Sequence, residues 1–473
     1  MQDLVIKNGT VVTPHGLILG GIAADKGKIT AVASDHELPQ ARNEVDAEGN
    51  FIFPGVIDPH VHLGSGSTSL KAALDGSMTV PPDMSSEEAA KIGEEKFRSD
   101  FETESASAAV GGITTLVSTV QFGAWDALKR DYYRRAKEIG KENSLTDFKF
   151  TAWMVGQTQF DWAAGLINEG ITSFKFHLGY NKHDWSFIYK CFEAIASFGP
   201  PTFPMIHAEE YGLINVLSEQ LKAEGRTDIA AWSDARPGIS EAIDIFTAGL
   251  MAQRAGVPLY VVHVSAKESL ETIQFLRQRG VKIYVETCPH YLVLDKFTEA
   301  GLLAKVNPPL HEEADIQRLW QAMADGTVDT IGSDHCATAR WQKESGGLWT
   351  GLPGFGGFGA MLALMVSEGV NKGKITIEQL AKLLSENTAR IFGMYPRKGV
   401  LSPGADADIV IVDPHKEWVL GTNTLKSAQD YSIYEGMKVK GKAVKTFVRG
   451  KLVAEEGELV MKTPMGKYAD VCW

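Results

Sequence analysis

The chain of 473 residues predicts an α/β fold: a (β/α)8 TIM barrel with a small β-sandwich domain formed by the N- and C-terminal segments. Three observations predict it. Strand-like and helix-like segments alternate through the middle of the chain, which is typical of a parallel α/β sheet. Both ends contain only short strand-like segments separated by turns. The length also accommodates one large barrel with an attached domain.

Short strands separated by turn signals characterise both ends of the chain. They are predicted at residues 4–6, 11–13, 29–32, 44–46, 409–412, 444–448 and 451–454. Asn8-Gly9, Lys26-Gly27 and Arg449-Gly450 are interpreted as turns. We expect the two ends to pair into one β-sandwich. The predicted divisions of the chain are 1–52 (sandwich, first part), 53–395 (barrel), 396–460 (sandwich, second part) and 461–473 (C-terminal tail).

Eight candidate strands occupy the middle of the chain. They are residues 51–57, 114–120, 148–154, 173–176, 202–206, 259–262, 282–285 and 330–331. Amphipathic helical stretches lie between most of them, for example at 125–139, 185–197, 265–279 and 314–324. An open doubly wound sheet is the alternative, but it would normally bind a nucleotide at a glycine-rich turn. No such phosphate-binding motif occurs in the sequence, which favours the barrel.

Composition and charge exclude several classes of protein. There are 47 Lys and Arg against 59 Asp and Glu, a formal net charge of −12, which argues against a nucleic-acid partner. No apolar run approaches the roughly 18 residues of a membrane span, and the first residues do not resemble a signal peptide. The four cysteines are scattered without CxxC spacing. We therefore expect a cytoplasmic protein without a disulfide framework or a membrane partner.

Six polar residues fall in or just after five of the predicted barrel strands. They are His60, His62, Lys175, His207, His263 and Asp334. Catalytic residues of such barrels collect at the C-terminal ends of the strands. Any one of these residues alone would more often be a loop residue or a cap, but nitrogen and oxygen donors grouped in this way suit Zn²⁺ or a similar divalent ion.

Two details of this set point to a metal site. His60 and His62 are spaced i, i+2, so both imidazoles lie on one side of an extended segment. Lys175 lies inside an apolar strand, where an unpaired ammonium is costly to bury, so it needs a partner or a changed charge.

Residues 54–63, which read Pro-Gly-Val-Ile-Asp-Pro-His-Val-His-Leu, resemble the opening motif of cyclic amidohydrolases. The nearest likeness is to the dihydropyrimidinase/hydantoinase branch of the amidohydrolase superfamily. Further matching segments follow in order along almost the whole chain, at 100–102, 111–115, 173–180, 207–209, 262–265, 286–289, 308–310, 332–336 and 404–410. The resemblance implies an enzyme that opens the cyclic amide bond of hydantoins or dihydropyrimidines.

The resemblance also implies a binuclear metal site, with zinc as the favoured metal. His60, His62 and Asp334 would hold one ion. His207 and His263 would hold the other, and Lys175 would bridge both as a carbamate derived from CO2. A hydroxide that bridges the two ions would attack the ring carbonyl.

The resemblance also implies which residues take part in catalysis and substrate binding. Tyr180 would bind the substrate and stabilise the tetrahedral oxyanion, while Asp334 would accept and return the proton as a second catalytic residue. Backbone groups near Cys288 and Asn307 would hold the amide edge of the ring. The likeness also implies a homo-oligomer, either a tetramer or a dimer.

Two alternatives remain open. The first is an allantoinase or another cyclic imide or amide hydrolase. The second, from another class, is a non-catalytic dihydropyrimidinase-like scaffold, which the presence of all six ligands disfavours. Leu63 and Gly64 stand where dihydroorotases tend to carry an arginine, so an orotate-type substrate is disfavoured. The Ser-, Gly- and Pro-rich segment 64–96 is longer than usual in hydantoinases and predicts either a cover for the site or a surface insertion.

Overall fold

The structure is a computed structural model that describes residues 1–64, 86–120, 130–154, 163–179 and 181–472. Its strands are β1 Gln2–Thr13, β2 Gly16–Asp25, β3 Lys28–Ala33, β4 Ala41–Asp46, β5 Phe51–Pro54, β6 Val56–Val61, β7 Ile113–Thr119, β8 Asp147–Met154, β9 Ser173–His177, β10 Phe203–His207, β11 Leu259–Val261, β12 Ile283–Thr287, β13 Thr330–Ile331, β14 Ile409–Val419, β15 Lys438–Val448, β16 Lys451–Glu455 and β17 Glu458–Leu459.

The α-helices of the described residues lie mostly between the strands of the middle region. They are Ser86–Val110, Arg130–Asn143, Ala163–Ile167, Trp185–Ser197, Tyr211–Ala223, Ile229–Asp234, Gly238–Ala255, Lys267–Gln278, Pro289–Val293, Glu313–Ala324, Arg340–Glu344, Met361–Leu364, Ile377–Ala381, Asn387–Ile391 and Thr422–Leu425. Short 3-10 helices span Asp35–Glu37, Gly301–Ala304 and Phe358–Ala360, and π-helical turns span Met365–Val370 and Lys382–Glu386. None of the helices in the described ranges is both long and apolar enough to span a membrane.

Eight parallel strands, β6 to β13, lie side by side in chain order, which confirms the predicted barrel. Val61 forms a parallel bridge with His335, and the N–H of His62 donates to the carbonyl of His335 at 2.8 Å. The last strand segment therefore returns to the first and nearly closes the barrel. Seven of the eight predicted strand segments coincide with barrel strands to within two residues.

The remaining prediction, a single strand over residues 51–57, is wrong. β5 pairs with β1 and β14 in the terminal sheet, whereas β6 pairs with β7 in the barrel. Gly55 lies between them and donates its N–H to the carbonyl of Asp408 at 2.9 Å. A Cβ at this position would lie 2.2 Å from the hydroxyl of Thr114, so the chain passes between the two sheets where only glycine fits.

Strands from the two ends of the chain form one nine-stranded sheet, which confirms their predicted pairing. Its order is β17-β16-β15-β14-β5-β1-β2-β3, with β4 also paired to β1. Most pairs are antiparallel, and its own core includes Ile6, Ile22, Ile52 and Ile409. The exact division of the chain at 52/53, 395/396 and 460/461 stays a prediction.

The interpretation of Asn8-Gly9 as a turn is wrong. Both residues lie inside β1, whose pairing with β2 shifts register between Ile6 and Gly9. Asn8 has a φ of 56°, a conformation that asparagine tolerates better than most residues. The pair is therefore a bulge within one long strand, a structure that uses the same residue types as a hairpin turn.

Seven of the barrel strands are buried along their whole length and β12 is buried except at Tyr284, as expected of parallel strands covered by helices. Many of their apolar residues, such as Leu116, Phe174 and Ile206, belong to one large core, while others, such as Val117 and Met205, belong to a second cluster. A polar side chain in such a strand is costly unless it is satisfied. The polar residues of these strands therefore mark where the barrel departs from simple packing.

Candidate metal centre

The C-terminal edge of the barrel collects the polar residues predicted from the sequence. His60 lies in β6 and His62 directly after it, Lys175 lies in the middle of β9, His207 ends β10, His263 follows β11 by two residues, and Asp334 follows β13 by three. Because the strands are parallel neighbours, these positions meet at one end of the barrel.

His60, His62 and Asp334 form the tightest group. Their possible ligand atoms all lie within 4.8 Å of one another. The Nε2 atoms of the two histidines are 3.1 Å apart, and Oδ1 of Asp334 is 3.1 Å from Nε2 of His62 and 3.5 Å from Nε2 of His60. Two imidazole nitrogens and one carboxylate oxygen at such distances form a donor set that fits a divalent cation.

Lys175 is buried beside this group, with Nζ 3.0 Å from Nε2 of His60. None of the ion pairs within the described ranges includes its amine. Burial lowers the pKa of Lys175 to about 8, so a large fraction of the amine is neutral near that pH. A neutral amine can react as a nucleophile, which a protonated one cannot.

His207 and His263 stand next to the first group. Their ring centroids are 4.6 Å apart, and the centroid of His263 is 5.5 Å from that of His60. Both ring nitrogens of the buried His263 lack a hydrogen-bond partner among the described residues. An unsatisfied buried polar group is costly, and a bound cation would satisfy it, so this part of the site also fits a metal.

The ionisation of the site also fits cation binding. Burial lowers the pKa of His60 and of His263 well below the usual range, so both imidazoles are neutral, the form that binds metals. Burial on its own would raise the pKa of Asp334, but His60 and His62 outweigh it and lower that pKa. The group therefore combines neutral nitrogen donors with an anionic oxygen donor.

Two of the predicted ligands have a strained backbone. His263 has a φ of 40° and Asp334 a φ of 51°. Such left-handed conformations cost on the order of 1 kcal/mol in residues other than glycine and concentrate at functional sites. The strain at these two strand ends is therefore consistent with a functional role for both side chains.

Glu286 forms a hydrogen bond with the ring nitrogen of His60 that faces away from His62 and Asp334. This role was not predicted from the sequence. Oε1 of Glu286 accepts a hydrogen bond from Nδ1 of His60 at 2.9 Å, and its Oε2 accepts one from the hydroxyl of Tyr260 at 2.7 Å. Burial raises the pKa of Glu286 to about 7. The bond fixes the tautomer of His60 and leaves its Nε2 available as a ligand. The sequence feature that could have indicated this role is the position of an acidic residue within the otherwise largely apolar strand β12.

Glu209 supports His207 in the same way. Its Oε2 lies 2.7 Å from Nε2 of His207, and Nη1 of Arg236 donates to its Oε1 at 2.7 Å. Burial on its own would raise the pKa of Glu209, but the charge of Arg236 outweighs it and the pKa falls to about 2. Glu209 follows a predicted ligand by two residues, whereas no sequence signal indicated Arg236.

Two of the predicted substrate-binding residues, Cys288 and Asn307, lie in segments close to one another. Cys288 is buried directly after β12 and precedes the helix Pro289–Val293. Asn307 is half-buried, and its Oδ1 accepts a hydrogen bond from Nε1 of Trp232 at 3.1 Å. The hydroxyl of Tyr291 donates to the carbonyl of Pro308 at 2.6 Å, which connects the two segments.

Two predicted features lie wholly or partly outside the described residues. Tyr180 and residues 65–85 of the segment 64–96 lie outside the described residues, and from residue 86 the chain forms the helix Ser86–Val110.

His177 follows Lys175 by two residues in β9, and its ring stacks on that of His207 with centroids 3.9 Å apart. It is therefore a further histidine at this end of the barrel, in contact with one predicted metal ligand.

Comparisons with known proteins identify the proteins that this chain resembles. The family model described as "Amidohydrolase family" matches residues 167–453. A D-hydantoinase from Geobacillus stearothermophilus is 34% identical over 98% of this chain and 95% of its own, and an L-hydantoinase from Paenarthrobacter aurescens is 30% identical over 99% and 98%. The crystal structure of a dihydropyrimidinase from Brevibacillus agri superposes with a TM-score of 0.87 at 30% identity and covers 100% of both chains.

Proposed function

We propose that this chain, which belongs to the amidohydrolase family, hydrolyses the cyclic amide bond of hydantoins or dihydropyrimidines. The observation that carries the proposal is the convergence of six ligand-type side chains from five strands at one end of the barrel. Relatives named as hydantoinases and as a dihydropyrimidinase align with the chain over almost its whole length. A scaffold without catalysis would not need to bury these donors together.

The proposed cofactors are two divalent metal ions, with zinc favoured. His60, His62 and Asp334 would hold one ion, and His207 and His263 the other. Nitrogen and oxygen donors without thiolates suit zinc among several divalent ions. The orphaned ring nitrogens of His263 and the close approach of the first three ligands support this assignment.

Lys175 is the proposed bridge between the two ions, after its neutral amine has attacked CO2. The new N–C bond turns the neutral amine into an anionic carbamate with two oxygen donors, and the nitrogen releases one proton. Two observations support this step. The amine is buried without an ion-pair partner among the described residues, and burial lowers its pKa to about 8.

Asp334 is the proposed proton carrier. When bound, the two ions would lower the pKa of a water molecule and polarise the ring carbonyl. The ionised carboxylate of Asp334 accepts a proton from the attacking water and returns it to the ring nitrogen as the carbon–nitrogen bond breaks. The product is an open-chain amide acid, such as an N-carbamoyl amino acid from a hydantoin.

The remaining assignments concern the substrate. Backbone groups at Cys288 and Asn307 would bind the amide edge of the ring, and the hydroxyl of Tyr180 would stabilise the oxyanion. The bond from Trp232 to Asn307 occupies the side chain of that residue and leaves its backbone groups for the ring. Cys288 would contribute its backbone N–H in the same way, because its carbonyl already accepts a hydrogen bond from the N–H of Tyr291 at 3.2 Å.

We also propose that the enzyme is a cytoplasmic homo-oligomer. The four cysteines are free thiols, which fits a reducing compartment. Exposed apolar side chains lie along the helix Gly238–Ala255 and next to it, at Ile239, Ile243, Phe246 and Phe275. A continuous apolar face of this kind is typical of a surface that pairs with another chain.

A ring-opening screen of the zinc-loaded protein tests the proposed function. The substrates are hydantoin, 5-substituted hydantoins, dihydrouracil, allantoin and cyclic imides. We expect the highest kcat/KM for a hydantoin or dihydrouracil, and a loss of about 10²- to 10⁴-fold in kcat on Asp334→Asn, because the proton carrier is removed.

Asp329→Asn is the matched control for this screen. Asp329 lies just before β13 and pairs with Arg277 at 2.6 Å, at the opposite end of the strand from Asp334, so its variant should keep wild-type kcat. Preferred turnover of allantoin would favour the allantoinase alternative. Turnover of none of the compounds would reject the proposed function.

A further inference from the structure

Arg236 contacts Glu209, the carboxylate that bonds to the predicted metal ligand His207. In the sequence, Arg236 lies outside the motifs that indicated the site. It follows the helix Ile229–Asp234, and only 7% of its side chain is exposed. Its Nη1 donates to Oε1 of Glu209 at 2.7 Å, while Oε2 of Glu209 lies 2.7 Å from Nε2 of His207. Each oxygen of this carboxylate therefore has one partner.

This arrangement decides the tautomer of His207. An ionised carboxylate can only accept hydrogen bonds, so Nε2 of His207 must carry the proton that it shares with Glu209. The lone pair of the ring is then on Nδ1. Only that nitrogen can bind a cation, and the hydrogen bond also restricts rotation of the ring.

Trp232 holds Arg236 in place on the side away from Glu209. The guanidinium of Arg236 lies over the ring of Trp232, 4.4 Å from the centroid. The indole is held in turn, because its Nε1 donates to the carbonyl of Val306 at 3.0 Å and the ammonium of Lys305 lies 3.9 Å from its centroid. A planar guanidinium can stack on an indole and donate in its own plane at the same time, which an ammonium cannot do.

We propose that Trp232, Arg236 and Glu209 form a positioning relay that holds the ring of His207 ready to bind the second metal ion. The relay rests on the proposed function only in taking His207 as a ligand of that ion. Within the described parts of the chain, no hydrogen bond or ion pair joins Arg236 to a predicted ligand, so it is a positioning residue and acts through Glu209.

Zinc retention tests the relay without any substrate. Zinc per chain would be measured by mass spectrometry after dialysis of the zinc-loaded protein against a graded series of chelator concentrations. For Arg236→Met we expect the second zinc to leave at a chelator concentration about 10- to 100-fold lower than in the wild type, the usual effect of losing a support behind a ligand. The first zinc should leave at the wild-type concentration.

Conservative variants separate positioning from general damage to the fold. Trp232→Leu should weaken the binding of the second zinc ion. Trp232→Phe should retain that ion almost as well as the wild type, because phenylalanine keeps the aromatic face. Arg236→Lys should retain it better than Arg236→Met but less well than the wild type. Arg277→Met is the matched control, since Arg277 is a half-buried arginine that pairs with Asp329 away from the site, and it should retain both ions as the wild type does.

One result would overturn the relay: wild-type retention of both zinc ions in Arg236→Met. If that variant does not fold, as judged by circular dichroism, the near-isosteric Glu209→Gln decides instead. Its loss of the second ion supports the relay, and its wild-type retention overturns it. None of these outcomes depends on the turnover of hydantoins, so they remain distinct from a failure of the proposed function.

Discussion

Buried lysines show at the scale of single residues why Lys175 is unusual. Lys149 donates to the carbonyl of Gly170 at 2.7 Å, and Lys398 lies between three carboxylates. Each amine therefore has at least one oxygen acceptor, although burial lowers the pKa of Lys149 to about 7. Among the described residues, the amine of Lys175 has only Nε2 of His60 as a hydrogen-bond partner. A chemical change that removes its positive charge would resolve this cost.

Replacing Lys175 by alanine should remove the bridge between the metal ions. We expect fewer than two zinc ions per chain and a loss of ring-opening activity of about 10³-fold or more, because the activated water depends on both ions. Added short carboxylic acids should restore part of the activity, since they can take the place of the carbamate oxygens. Metal analysis and a ring-opening assay measure both effects.

Lys149→Met is the matched control for this variant. Lys149 is an equally buried barrel lysine, but it lies away from the predicted ligands and bonds to a backbone carbonyl. It should therefore keep two zinc ions and wild-type turnover. Full metal content together with wild-type activity in Lys175→Ala would show that the proposed bridge is wrong.

At the same scale, the sequence predicted ligands more readily than their supports. His60 and His62 were predictable because their i, i+2 spacing is a local property of a strand. Glu286 stands behind His60 but is 226 residues away in the chain. Only the packing of β12 beside its neighbours brings it there.

At the scale of elements, the segment between β9 and the helix Trp185–Ser197 is tied to a distant helix. Nε2 of His183 lies 3.0 Å from Oδ2 of Asp244, a buried residue of the helix Gly238–Ala255. The hydrogen bond to Asp244 raises the pKa of His183. This segment follows the strand of Lys175, so its anchoring bears on the rim of the site.

His183→Gln should remove the charged part of this anchor. A pKa raised above the unfolded value of about 6.5 contributes stability that is fully present below that value and is lost as the pH rises through the folded value. The Tm difference between wild type and His183→Gln should therefore be larger at about pH 6 than at about pH 8.5. Burial raises the pKa of Asp244, so the difference should shrink again in acid, where that carboxyl is protonated.

The size of this effect is modest because His183 is only partly buried. We expect less than about 1 kcal/mol, since solvent screens such a pair. His15→Gln, at an exposed histidine in the turn between β1 and β2, should show no comparable pH-dependent difference. A Tm difference for His183→Gln that grows with rising pH would contradict the anchor.

At the scale of the whole molecule, a buried charge cluster joins the barrel to the terminal sheet. Nζ of Lys398 lies 2.7 Å from Asp147, which begins β8, and 2.7 Å from Asp408, which precedes β14. Asp406 is 3.2 Å away. Burial on its own would lower the pKa of Lys398, but the carboxylates outweigh it and raise that pKa above the usual value. The ammonium therefore stays charged and holds the two sheets together.

Lys398→Met should destabilise the protein by about 3–5 kcal/mol, because it leaves the buried carboxylate of Asp408 without a cationic partner among the described residues. Lys28→Met is the matched control, since Lys28 also contacts Asp406, at 2.7 Å, but 45% of its side chain is exposed. The control should cost less than about 1 kcal/mol. Urea denaturation followed by circular dichroism measures both free energies of unfolding, and equal small losses would argue against the cluster as a lock between the sheets.

The barrel and its edge could be predicted because the signals are local. Alternating segments, turn residues and polar residues at strand ends depend on neighbours in the chain. The single strand predicted over 51–57 and the turn predicted at Asn8-Gly9 failed for a different reason. Each depends on a partner strand, since pairing decides which sheet a strand joins and whether a glycine-containing pair is a turn or a bulge.

The sequence by itself thus determined the barrel, the pairing of the two ends and the six residues that gather at one edge, because periodicity and parallel strand order are enough to bring strand ends together. Only the tertiary structure decided which carboxylates stand behind the histidines, that Arg236 lies between Trp232 and Glu209, and where the chain leaves one sheet for the other. These features are contacts between residues far apart in the chain, and they are set by packing density and hydrogen-bond geometry rather than by any local pattern.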